Sequence, residues 1–164
     1  MQAVRITPSL AVADQIDEHD VDALAAAGVK CIICNRPDTE GGTPSEQIRA
    51  ACERHGMKFF LQPVEYSRIG LADGEAFGRI LQQCEGPALA YCRSGRRSTA
   101  LWALATAPLA GAPAVLQRAA RAGIGLDDIS PLVTASAGRT DPPYAPSSDP
   151  AARARFQRLW FGEP

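Results

Sequence analysis

The chain has 164 residues, of which 46% are apolar, and a formal net charge of −1. That length buries a core of ordinary size in one domain, and evenly scattered acids and bases exclude the basic excess typical of nucleic-acid and membrane-surface proteins. No apolar run approaches the roughly 20 residues of a membrane-spanning helix, and the opening MQAVRITPSL is too polar and short for a signal peptide. A cytoplasmic protein with small-molecule partners is expected, with neither nucleic acid nor membrane among them, and a homo-oligomer is compatible with the composition.

In chain order, Leu10 to Val12 reads as a short strand, and Asp20 to Ala27 as a helix with Asp20 as N-cap and Gly28 as its stop. Lys30 to Cys34 is an apolar strand. Thr43-Pro44-Ser45-Glu46 offers a cap and a proline at the first helical position, predicting a helix to about His55, ended by Gly56. A strand over Lys58 to Gln62, a loop over Pro63 to Leu71 and a helix over about Asp73 to Cys84 follow. Pro87 to Tyr91 is a strand that delivers the chain to Cys92, and Ser98 begins a helix that should stop near Pro108. Two further helices are expected, over Ala114 to Ala122 and Leu126 to Ala135. Residues 138–164 read as an irregular tail with a short helix over Arg153 to Phe161, leaving 1–137 as the domain. Strands alternating with helices predict the α/β class, a largely parallel sheet flanked by helices.

The five cysteines are odd in number and irregularly spaced, as expected of thiols in a reducing compartment. Cys31 and Cys34 have CxxC spacing, but residues three apart on a strand face opposite sides. Both are therefore read as buried thiols, and no metal site is expected. His19 and His55 lie on helix segments without ligand partners nearby.

The stretch YCRSGRRS over residues 91–98 crowds three arginines and a glycine around one cysteine. A strand–loop–helix turn aims successive loop amides and the positive end of a helix at one spot, which suits an anion. A cysteine there is favoured as a thiolate nucleophile. Cys92 is therefore the expected nucleophile and Arg97 the expected bidentate grip on an oxyanion. Arg93, Ser94, Gly95, Arg96 and Ser98 form the expected substrate or anion-binding loop. In it, Gly95 lets the backbone curl inward, and Ser98 either bonds the sulfur or caps the helix. Arg93 and Arg96 either face water or receive a charged donor. Asn35 and Arg36 follow a strand end where parallel sheets bind ligands; they either support the loop, contact the donor, or make a structural ion pair with Asp38 or Glu40.

The run CRSGRR over residues 92–97 resembles the active-site loop of rhodanese-type sulfurtransferases, in which a nucleophilic Cys opens and an Arg closes a six-residue loop. More widely, SLAVADQIDEHDVDALAAAGVKCIICNRPDTE and YCRSGRRSTALWAL resemble the bacterial beta-lactamase-hydrolase-like family with a phosphatase-like domain. That resemblance implies a fold like that of the dual-specificity phosphatases, and some family members are labelled sulfur transferases. Cysteine phosphatases resemble one another in a His-Cys, five residues, Arg pattern. Here Tyr91 stands in the place of the His, and Arg97 comes five positions after Cys92 rather than six.

The short loop, and a Pro63–Leu71 segment whose one acid is Glu65, favour sulfur transfer, because a sulfite or thiolate leaving group needs no acid catalyst. The expected reaction moves sulfane sulfur from thiosulfate or a low-molecular-weight persulfide through a Cys92 persulfide to a thiol acceptor, without a cofactor. The alternatives are phosphoester hydrolysis through a phosphocysteine and a non-catalytic anion-binding module. Cys84 is a candidate resolving thiol, with a buried thiol as the plainer reading.

Overall fold

The computed structural model describes residues 1–140, 142–144, 150–151 and 154. Strands β1 (Ala3–Thr7), β2 (Leu10–Ala13), β3 (Cys31–Cys34), β4 (Lys58–Leu61) and β5 (Ala88–Tyr91) form one sheet in the order β1-β2-β5-β3-β4. Only the β1/β2 pair is antiparallel. Helices α1 (Glu18–Ala26), α2 (Ser45–Arg54), α3 (Leu71–Gln83), α4 (Arg96–Ala110), α5 (Ala112–Arg121) and α6 (Ser130–Ala137) complete the α/β architecture.

Alternation along the strands divides the core into two layers. Cys31 and Ile33 of β3 pack with side chains of α3 to α6, while Ile32 and Cys34 pack with those of α1 and α2. The CxxC sulfurs thus point into different layers, as their strand placement predicts. In register, Cys34 pairs with Leu61 on one side and Tyr91 on the other, and Tyr91 also pairs with Ala13. The carboxyl ends of four parallel strands therefore finish level, and Cys92 emerges from β5, between β2 and β3.

Several boundaries differ from expectation for identifiable reasons. β1 was not expected: it is an edge strand whose first three residues are exposed and whose pattern is broken by a register shift between Arg5 and Thr7. Helix α1 is capped by Asp17 rather than Asp20. The Asp20 amide donates to Asp17 Oδ1 and the Asp17 amide to Asp20 Oδ2, both at 2.9 Å, a reciprocal capping box. Asp73 plays a similar part at α3, accepting the Gly70 amide at 2.9 Å.

Helix α4 continues through Pro108 instead of stopping there. Proline has no N–H for the Leu104 carbonyl four residues earlier. Ser136 Oγ of α6 donates to that carbonyl at 2.6 Å and satisfies it. The last pair of helices is also shifted: α5 starts at Ala112, and a 3-10 turn over Asp127–Ile129 precedes α6.

The described part of the tail is docked on the domain. Arg139 pairs with Glu75 of α3 at 2.6 Å, and the buried Tyr144 donates its hydroxyl to the Ala105 carbonyl of α4 at 2.7 Å. Of the expected helix over 153–161, Ala154 is helical and the remainder lies outside the described residues. Among the described residues no helix is long and apolar enough to cross a membrane.

Candidate active site

Four residues, Cys92 to Gly95, join β5 to α4. The loop is anchored to the end of β2: the Cys92 amide donates to the Ala13 carbonyl at 3.2 Å, and Ser94 bridges to Asp14. Gly95 takes a left-handed conformation, φ +86°, which costs any residue with a side chain. That turn brings the Gly95 N–H back to Cys92 Sγ at 3.1 Å. Cys92, a residue 1% exposed, therefore places its sulfur at the floor of a turn that opens directly onto the N-terminus of a 15-residue helix.

The expected six-residue loop is shorter than its sequence reading, because Arg96 and Arg97 already belong to the first turn of α4. Arg97 is held in place by several hydrogen bonds. Its Nη1 donates to Glu40 Oε2 at 2.9 Å and to the Val64 carbonyl at 2.7 Å, and Nη2 donates to Glu40 Oε1 at 3.0 Å. Its Nε–H is buried without a protein acceptor. Burial works against the Arg97 charge, but the Glu40 bonds outweigh it and hold the guanidinium above its ordinary pKa. Reciprocally, Arg97 holds the Glu40 carboxyl below the usual carboxylate range.

Asn35 and Arg36 support this arrangement from β3. Asn35, fully buried, accepts Ser98 Oγ at 2.8 Å through Oδ1, and its Nδ2 donates to the Gln62 carbonyl at 3.1 Å. Ser98 thus bonds neither the Cys92 sulfur nor the helix end; it ties α4 to β3. Arg36 settles on the structural alternative, pairing with Glu40 at 3.6 Å and donating to Gln15 Oε1 at 2.9 Å. Asp38 instead accepts both the amide and the hydroxyl of Ser45, at 2.8 and 2.7 Å, fixing the start of α2.

The other two arginines divide. Arg96 lies over the Tyr66 ring, 5.3 Å from its centroid, and pairs with Asp128, so it is held rather than free. Arg93 is exposed and makes no ion pair among the described residues. Glu65, the acid offered by the loop before α3, is exposed and paired with Arg68 at 3.3 Å.

Tyr91 and Trp102 are both core residues, each 1% exposed. His55 pairs with Asp22 at 2.7 Å at the far end of α2, away from the loop. Cys84 lies against Cys31, at the opposite end of β3 and β5 from Cys92, and is therefore not placed to resolve a bond on Cys92.

Sequence reasoning missed Glu40 as the residue that orients Arg97, and Tyr66 and Asp128 as the residues that hold Arg96. Glu40 and Arg97 lie 57 positions apart, so no local pattern pairs them.

A family profile described as "Beta-lactamase hydrolase-like protein, phosphatase-like domain" matches residues 3–109. A Beta-lactamase hydrolase-like protein of Agrobacterium fabrum is 38% identical over 109 residues, and one of Xylella fastidiosa 36% over 108. These matches take in 65% and 63% of the chain but only 25% of each relative, so the chain spans about a quarter of the curated relatives it matches. Among solved structures, a putative phosphatase from Neisseria meningitidis superposes with a TM-score of 0.72 at 33% identity, covering 81% of this chain and 96% of that one. The structure of P. aeruginosa TpbA in complex with pTyr gives 0.62 at 20% identity, covering 93% and 88%, a likeness of fold. With a phosphatase-like α/β fold, a level set of strand ends and the cysteine loop between them, the chain belongs to the beta-lactamase hydrolase-like family through its phosphatase-like domain.

Proposed function

We propose that the domain hydrolyses phosphomonoesters through a phosphocysteine at Cys92. The observation that carries this reading is the pairing of a buried thiol, reached by the Gly95 amide at a helix N-terminus, with an arginine fixed by Glu40. Those groups fit a tetrahedral oxyanion: loop amides and Arg97 are pre-oriented for charge that grows on the phosphoryl oxygens. The family description and the phosphatase names of the structural relatives support it, and they move the weight from sulfur transfer to phosphoester chemistry.

In the first step Cys92 Sγ attacks phosphorus, the ester P–O bond breaks, and the alcohol leaves with a proton from water. Water then attacks phosphorus, the S–P bond breaks, and inorganic phosphate and the thiolate are released. Glu65 is paired with Arg68 and Glu40 with Arg97, so neither of these acids is free to protonate the leaving group. Aryl phosphates, whose leaving groups need little protonation, should therefore react far faster than alkyl phosphates.

The experiment is hydrolysis of p-nitrophenyl phosphate by the wild type and by Cys92→Ser, with vanadate as inhibitor. Turnover blocked by vanadate and absent in the variant supports the reading. Absence of turnover in the wild type with intact phosphate binding would leave a binding module in its place.

Sulfur transfer is the second reading, favoured by the position of Arg97, five residues after Cys92, and by the pairing of Glu65 with Arg68. Incubation with thiosulfate or glutathione persulfide followed by intact mass measurement tests it. Gain of one sulfur in the wild type and none in Cys92→Ser would restore it.

A further inference from the structure

Two thiols that the proposed reaction does not use meet at the amino end of the sheet. Cys31, the first residue of β3, is fully buried, and Cys84, at the C-cap of α3, is 4% exposed. Cys84 Sγ lies 2.6 Å from Cys31 Sγ, and both sulfurs belong to the core layer beneath α3 to α6. The remaining thiols are elsewhere: Cys34 and Cys52 face the other layer, and Cys92 leaves the opposite end of β5.

We infer that Cys31 and Cys84 are an oxidative cross-link site, closing to a disulfide that staples the end of α3 to the start of β3 under peroxide. The two sulfurs are already in contact, and no other thiol competes for either of them. The inference is independent of the chemistry at Cys92.

Cys84, the more exposed partner, reacts first. Its sulfur attacks one oxygen of hydrogen peroxide and the O–O bond breaks, leaving a sulfenic acid; the hydroxide takes the thiol proton and becomes water. The Cys31 sulfur then attacks the sulfenic sulfur, the S–O bond breaks, and the departing hydroxide takes the Cys31 proton as a second water. Two thiols lose two electrons in all, and one peroxide becomes two waters.

The bond would join residues 53 positions apart and so remove chain entropy from the unfolded state. The active-site loop begins at the other end of β5, so the staple changes stability without reaching Cys92.

The test uses the full chain carrying Cys92→Ser, fully reduced, then treated with hydrogen peroxide, denatured and alkylated. The expected result is loss of two hydrogens by intact mass, peptides containing Cys31 and Cys84 joined, alkylation confined to Cys34 and Cys52, and a thermal midpoint raised by about 5 °C or more. Adding Cys84→Ala or, separately, Cys31→Ala should abolish both the cross-link and the shift. Alkylation of all four remaining thiols would overturn the inference. So would oxygen gain at Cys84 without a cross-link, or a different pair joined.

Discussion

Glu40 grips Arg97 with both carboxylate oxygens, at 2.9 and 3.0 Å, and the same carboxylate also faces Arg36 at 3.6 Å. Under the proposed reaction, the guanidinium that would hold an oxyanion is set in place by this acid, which makes Glu40 a positioning residue.

Glu40→Gln should lower kcat on an aryl phosphate by about tenfold or more, since charge-assisted bonds that orient a reacting group are worth roughly 1.5–3 kcal/mol. KM should move less than kcat, and Arg97→Lys should lose more because an ammonium cannot reproduce the planar fork. Steady-state kinetics on the three proteins check this; unchanged kcat in Glu40→Gln would remove the positioning role.

The same pair sets a pH dependence. Arg97 depresses the Glu40 pKa in the folded state, so its stabilising contribution is complete above the ordinary carboxylate value of about 4.3 and disappears as pH falls through the depressed folded value. The difference in thermal midpoint between wild type and Glu40→Gln should therefore be constant from neutral pH to about pH 5 and shrink below it. Calorimetry across that range measures it.

Arg93 is the loop arginine without an acid partner among the described residues, whereas Arg96 and Arg97 are neutralised by Asp128 and Glu40. Arg93→Glu should weaken inhibition by vanadate or phosphate by about three- to tenfold at low salt, an effect that fades at about 1 M salt, where the Debye length is about 3 Å. Arg96→Gln should change inhibition less. Inhibition constants measured at two ionic strengths decide between them.

Gly74 of α3 faces α4 so closely that an added Cβ would lie 2.5 Å from Leu104 Cβ and 3.1 Å from the Leu104 carbonyl carbon. A rigid backbone cannot yield, and Gly74→Ala should cost about 1–3 kcal/mol or more. Gly125→Ala, with open space around the new methyl, should be neutral or slightly stabilising. Denaturant unfolding of both variants is the comparison.

The strand–loop–helix turn at Cys92 is legible in the sequence because its signal is local: an apolar strand, Cys92, Gly95, an arginine and a helix start. The CxxC reading follows equally locally from strand alternation. Glu40, Tyr66 and Asp128 are not legible, since their partners arrive through the fold. Pro108 misleads because a proline forbids one hydrogen bond but says nothing of whether Ser136 will supply a substitute. The choice of chemistry also exceeds the sequence: loop length and a missing acid point to sulfur, whereas family and fold point to phosphorus.

The Ser136 hydroxyl that answers the Leu104 carbonyl lies beyond the span matched by the family profile, which ends at residue 109. So does Tyr144, whose ring fills the space over Gly78. The helix that follows the Cys92 turn is thus finished by residues the family span leaves out. Where evolution or an experimenter trims the chain back to that span, the cut leaves a bare carbonyl and an open groove between α3 and α4. The span recognised by descent is shorter than the set of residues that packs on α4.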